Sequence, residues 1–349
     1  MFSNLRFLVI GIGSIGLALV ISHWGSAQSV DWFAQGTGVE RTSDSVYRLP
    51  PPAARVPTAT HLDYDAYLAS RGQTEATPVQ FTTPPDILAM QQAYGEANVA
   101  IWQLLPEGMV YKSYLAGTQE SRFALQIIDI NSEGLHFEGF LGTRVPLLRY
   151  GTTDSIRPEG FQVDAEGVAH VRIDLADGSI VDAADFRGGL PLSYGYGRHR
   201  TKLGYYHLSS HVQDEFLTEN PGFVRLNFSR DVFILGHSFY LTDQLKIYGE
   251  VGYAFISDIS QPWEFQVGFD YAPYGPTGIH GAPFLAINGH VREEVKFGGA
   301  LTAQLGWAWV GDTGKMLRAG VHYYNGESNQ YSFFDRFEQQ IGFGLWYDF

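Results

Sequence analysis

The clearest signal in this chain is a strict alternation of apolar and polar positions through its C-terminal half. In LKIYGEVGYAF, Leu245, Ile247, Val251, Tyr253 and Phe255 share one parity, and Lys246, Tyr248, Glu250 and Gly252 the other. PWEFQVGFDYAP sets Trp263, Phe265, Val267, Phe269 and Tyr271 against Glu264, Gln266, Gly268 and Asp270. GGALTAQLGWAWVG and MLRAGVHYYNG repeat the pattern, and QQIGFGLWYDF closes the chain with Ile341, Phe343, Leu345, Tyr347 and Phe349 in step. A period of two puts each set on its own face of a β-strand. Gly, Asp, Asn and Pro turns separate the runs. About twelve antiparallel strands fit between Arg122 and Phe349, an even number as bacterial barrels prefer, with Met109–Ala116 as a further candidate.

Such alternation suits a soluble β-sandwich with its apolar face inside, or a transmembrane β-barrel with its apolar face in lipid. Three features favour the barrel. Trp263, Tyr271, Trp307, Trp309, Tyr323 and Tyr347 fall at or near strand ends, where interfacial girdles form. The strands run to about 10–12 residues, enough for a tilted span. A flat aromatic terminal strand would also be an aggregation-prone edge unless closure paired it with the first strand. The expected seam joins the strand near Phe123–Ile127 to Ile341–Phe349. The expected fold is therefore all-β: an antiparallel transmembrane barrel of about 12 strands with an irregular N-terminal arm.

Composition narrows the partners. The 349 residues carry a net charge of −14 and no basic run, which argues against nucleic acid. There is no cysteine, so neither disulfides nor thiolate metal sites arise. The first 27 residues read as a signal peptide, with Arg6 before an uncharged apolar core and Gly25 and Ala27 at a cleavage site. Gly11, Gly13 and Gly16 match a dinucleotide fingerprint only inside that leader, with no βαβ unit around them. Residues 28–107, with the proline-rich RLPPPAARVPT, read as a periplasmic or plug-like arm outside the barrel wall. Residues 108–349 read as the barrel. The expected location is the outer membrane, with membrane lipid as surroundings.

YYHLSSHVQDEF, GTRVPLLRYGT, VHYYNGESNQY and IGFGLWYDF together resemble a family of uncharacterised bacterial outer-membrane barrels of unknown function. The resemblance covers most of 100–349 and implies the barrel but no activity. Phe343, Leu345, Tyr347 and Phe349 resemble the signal read by the barrel assembly machinery.

The candidate chemistry lies in HLSSHVQDEF. His207-Leu208-Ser209 resembles the His-x-Ser of outer-membrane phospholipase A and lipid A deacylase. That resemblance implies a histidine activating a serine, oriented by a third group, for which Asn227 is the candidate. The sequence departs from the phospholipase at Ser210 and His211, where Ser-Asn-Gly continues there, and in the longer separation to Asn227. Parity taken from Tyr206, Leu208 and Val212 turns His207, Ser209 and His211 to the lumen. Arg225 and Asn227 join them there, with Asp185, Arg187, Glu250, His290 and Arg292. On that parity the leading expectation is a structural or solute-conducting barrel with a polar lumen. The alternative is a lipid acyl hydrolase using Ser209 and His207, which requires the pair to face lipid. No metal or cofactor is expected: His207 and His211 on a strand stand roughly 13 Å apart at about 3.3 Å per residue.

Overall fold

The computed structural model describes residues 100–349, except 132 and 176–179. The expected signal peptide and nearly all of the expected arm lie outside the described residues.

Alternation becomes a continuous sheet of β1 (Ile101–Leu104), β2 (Phe123–Ile130), β3 (Gly134–Gly151), β4 (Gly160–Asp174), β5 (Ile180–Tyr196), β6 (His199–Val212), β7 (Phe228–Tyr240), β8 (Leu245–Ser257), β9 (Trp263–Tyr271), β10 (Ala282–Arg292), β11 (Gly298–Val310), β12 (Met316–Glu327) and β13 (Phe337–Asp348). From β2 to β13 each strand pairs antiparallel with its chain neighbour, giving a closed 12-strand barrel plus one extra strand. The seam runs from Gln340 opposite Ile130 to Tyr347 opposite Phe123, where the sequence placed it. The extra strand is β1. It adds to the edge of β3 beyond the start of β2, with Ile101 opposite Gly151 and Leu104 opposite Leu148. These four residues were expected in the arm and instead extend the wall. Backbone pairing explains this, since β3 is 18 residues long and β2 covers only the part from Gly134 to Leu141.

The end of the barrel carrying Phe123 and Phe349 is called here the terminal end, and the opposite one the far end. The faces are those of a membrane barrel. Phe343 is 71% exposed and Val267 64%, whereas Arg172, Glu138 and Arg318 are buried inside. A soluble sandwich would show the reverse. Trp102, Tyr150, Phe161 and Tyr194 form an aromatic row around the terminal end, with ring centres 5.0 Å apart for the first pair and 4.5 Å for the last.

The lumen is filled. Met109–Ala116 is not a strand: Met109, Val110, Tyr111, Tyr114, Leu115 and Ala116 are buried within the barrel. The backbone of this segment finds its partners in cations rather than in a strand. Arg144 donates to Tyr111 O (2.8 Å), Lys246 to Ser113 O (3.0 Å) and Arg122 to Leu115 O (2.6 Å), and just beyond the segment Arg187 donates to Gln119 O (3.2 Å). Such charge-assisted bonds satisfy buried carbonyls that no ladder reaches. From the far end the β12–β13 connection folds inward, burying Asn329, Gln330, Tyr331, Ser332 and Phe333. Cavities of about 10 Å³ lie along these segments, each room for about one water.

Candidate functional site

Strand β6 has the opposite parity to that expected. His207, Ser209 and His211 face outward; Leu208, Ser210 and Val212 are fully buried inward. Two cations fix the register. Arg200 and Lys202 share the parity of Leu208 and are buried, with Lys202 Nζ 2.6 Å from Glu250. Turning His207 inward would have turned both cations toward lipid, a cost that grows with depth from the interface toward the midplane. Leu208 and Val212 are apolar although inward because the infolded connection brings Tyr331 and Phe333 against them. On β7 the same logic turns Arg230 inward, 3.3 Å from Glu264, and Asp231 outward.

The outer face here thus carries a polar set. His207 stands opposite Asp231, and Ser209 opposite Ser229. His207 Nδ1 lies 3.0 Å from Asp231 Oδ1, and the Tyr205 hydroxyl donates to the same oxygen at 2.6 Å. An ionised carboxylate only accepts, so in a neutral ring the imidazole proton sits on Nδ1. Nε2 is then left with a free lone pair, as a general base needs. The His207 side chain is 48% exposed and that of Asp231 19%. Ser209, half-buried, is two residues along the same face. Among the described residues no hydrogen bond yet joins Ser209 to His207. Such bonds often tighten only when substrate docks.

Asn227 is not the orienting group. It precedes β7 and donates to Asp258 at 3.2 Å. Arg225 lies in the same far-end connection, on Asp214 (3.1 Å) and Val212 O (3.0 Å), beside the short helix α1 (Asp214–Glu219). Both were expected in the lumen, but the chain here is a connection between strands and has no alternating face. The carboxylate that His207 meets is instead Asp231.

The other expected lumenal residues do face inward. Asp185 accepts from Gln119 (3.2 Å), from Tyr331 N (3.1 Å) and from Ser210. Arg187 pairs with Glu166 at 3.1 Å, and Glu250 also accepts from Tyr114 at 2.9 Å. His290 lies 3.4 Å from Glu264, and Arg292 donates to Ser328 O at 3.2 Å. These groups hold the filling segments. Phe343, Leu345, Tyr347 and Phe349 all lie on the outer parity of the terminal strand.

A closed antiparallel ring with an apolar exterior, aromatic ends and a charged interior defines a β-barrel of the outer-membrane type. The chain belongs to the family described as a protein of unknown function, DUF1207, which matches residues 54–349. No curated protein matches it in sequence. Solved structures similar to it are outer-membrane barrels. Outer membrane phospholipase A from Escherichia coli aligns at 12% identity and a TM-score of 0.47, covering 65% of this chain and 96% of that one. The KdgM porin in complex with disordered oligogalacturonate aligns at 11% and 0.39, covering 65% and 99%. A Rhodopseudomonas blastica porin aligns at 8% and 0.30, covering 66% and 98%. At these identities the likeness is one of fold alone.

Proposed function

We propose that this protein is an outer-membrane lipid acyl hydrolase whose active site is Ser209, His207 and Asp231 on the outer wall. One observation carries the reading: a hydrogen-bonded histidine–carboxylate pair, with a serine beside it, on an outer face that is mostly apolar. Ionisable groups facing lipid are costly and are therefore held for function. In this reading the Ser209 hydroxyl attacks an ester carbonyl while His207 Nε2 accepts its proton. The same nitrogen then protonates the departing alcohol, leaving an acyl-serine that water hydrolyses by the reverse sequence. Asp231 holds the Nδ1–H tautomer and stabilises the imidazolium, and Tyr205 fixes Asp231. The substrate class is an outer-membrane lipid, and the barrel assembly machinery inserts the chain.

A second reading, a structural barrel without activity, is favoured by the filled lumen. Solute conduction would require residues 107–122 or the β12–β13 connection to move. Phospholipid in mixed micelles with the purified full-length protein separates the readings. Fatty acid release should be lost in Ser209→Ala and His207→Ala. It should persist in Ser229→Ala, which faces outward opposite Ser209 but carries no step. Release equal in wild type and Ser209→Ala would sink the hydrolase.

A further inference from the structure

At the terminal mouth, remote from the outer-wall site, a cavity of about 60 Å³ opens beside the filling segment. Three cations line it, Lys112, Arg157 and Lys246, against two carboxylates, Asp243 and Asp270. Both carboxylates are taken. Arg157 pairs with Asp243 at 2.8 Å, and Lys246 with Asp270 at 2.9 Å. The Arg157 guanidinium also lies between the rings of Tyr240 and Tyr274, 4.2 and 4.3 Å from their centres, which fixes its plane.

Lys112 is left over. Among the described residues it forms no ion pair. Asp154, the carboxylate that attracts it from further off, accepts from the Ile156 N–H at 2.8 Å. Among the described residues Arg200, another nearby cation, donates to the carbonyls of Gly197 and His199. Burial first, then Lys246 and Arg157, push the Lys112 ammonium down to about 8. Lys112 is partly buried and lines the cavity beside two other cations, with no carboxylate paired to it among the described residues. A water needs at least about 10–15 Å³ of such volume, so this cavity takes several waters or one tetrahedral oxyanion.

We propose that the mouth cavity is a binding site for a phosphate-type oxyanion, held by Lys112 with Arg157 and Lys246 beside it. The anion would supply the counter-charge the fold leaves out, through charge-assisted hydrogen bonds. Free phosphate and a lipid phosphate headgroup offer the same chemistry.

The test is calorimetric titration of the full-length protein, refolded in neutral detergent, with inorganic phosphate and in parallel with short-chain phosphatidic acid. Saturable one-site binding is expected, at least about tenfold weaker in Lys112→Met. Lys112 lies in a buried segment, so folding of that variant is checked by heat-modifiable mobility. Gln244→Glu supplies a second arm: Gln244 is exposed at the rim, and an added carboxylate there should weaken binding without touching the interior. Lys296→Met, exposed at the far end, should bind like wild type. Equal affinity for the two probes assigns the site to free phosphate; tighter lipid binding assigns it to a headgroup. No saturation of either probe, or wild-type affinity in both Lys112→Met and Gln244→Glu, overturns the proposal.

Discussion

Replacing Arg172 by methionine should loosen the barrel from inside and release the far-end closure. Arg172 is 1% exposed and its guanidinium serves three groups. It donates to Glu138 Oε1 at 2.7 and 3.0 Å, to Glu338 at 2.8 and 3.0 Å, and to Asn329 Oδ1 at 2.6 Å. Removing one partner of a buried ion pair costs about 3–5 kcal/mol, because the remaining charge stays desolvated. Two carboxylates are orphaned here, but neither is left bare. Glu138 keeps Asn329 Nδ2 at 3.3 Å, and Glu338 keeps Gln340 Nε2 at 2.6 Å. The expected loss is therefore about 3–5 kcal/mol and not twice that. Adding Glu338→Gln to Arg172→Met should return part of it, since a neutral amide tolerates burial better than an unpaired carboxylate. Urea unfolding from detergent-bound or bilayer-bound protein, followed by tryptophan fluorescence, gives the stability. Hydrogen exchange at Tyr331 N–H, which bonds Asp185 at 3.1 Å, reports the infolded connection. A variant within about 1 kcal/mol of wild type and with unchanged exchange would refute the claim that this network pins the closure.

Phe349→Asp places a charge at the outer parity of the terminal strand and should lower the yield of heat-modifiable, folded protein in the outer membrane; wild-type yield would count against the assembly role. Planar-bilayer recordings of the intact protein should show no steady conductance, and deletion of residues 108–121 should create one; ohmic current from the intact chain would mean the lumen is not held shut. Lys112 should make docking of the filling segment pH-dependent. Its folded pKa of about 8 lies below the ordinary 10.5, so the folded state binds fewer protons in that window and docking strengthens as pH rises through it. Limited proteolysis within residues 107–122 should slow between about pH 8 and pH 10, and Lys112→Met should abolish the trend.

Most of the wall was legible because strands β8, β9, β11, β12 and β13 set a run of apolar residues at one parity against a mainly charged, polar or small set at the other, so parity needed no outside information. Strand β6 was misread because its inner face carries Leu208 and Val212, apolar only because a distant connection delivers Tyr331 and Phe333 to them. The correcting signal was nonetheless in the sequence. Arg200 and Lys202 lie on the parity of Leu208, and two cations facing lipid cost more than a histidine and two neighbours do. Asp231 follows at once when Arg230 is turned inward. The filling segment was harder to see. Met109–Ala116 has the composition of a strand, and only the wall's surplus of inward arginines, wanting carbonyl partners, separates the two fates. Expectations for residues 1–99, including cleavage after Ala27, lie outside the described residues.

The central claim is that Ser209 is an activated nucleophile on the lipid-facing wall. An alkyl fluorophosphonate reacts with such a serine and with little else, and peptide mass spectrometry locates the adduct. The full-length protein in detergent should be labelled on Ser209, with labelling lost in His207→Ala and reduced in Asp231→Asn while all three proteins remain heat-modifiable. Folded wild-type protein that takes up no label at Ser209, or labels equally well without His207, would contradict the account.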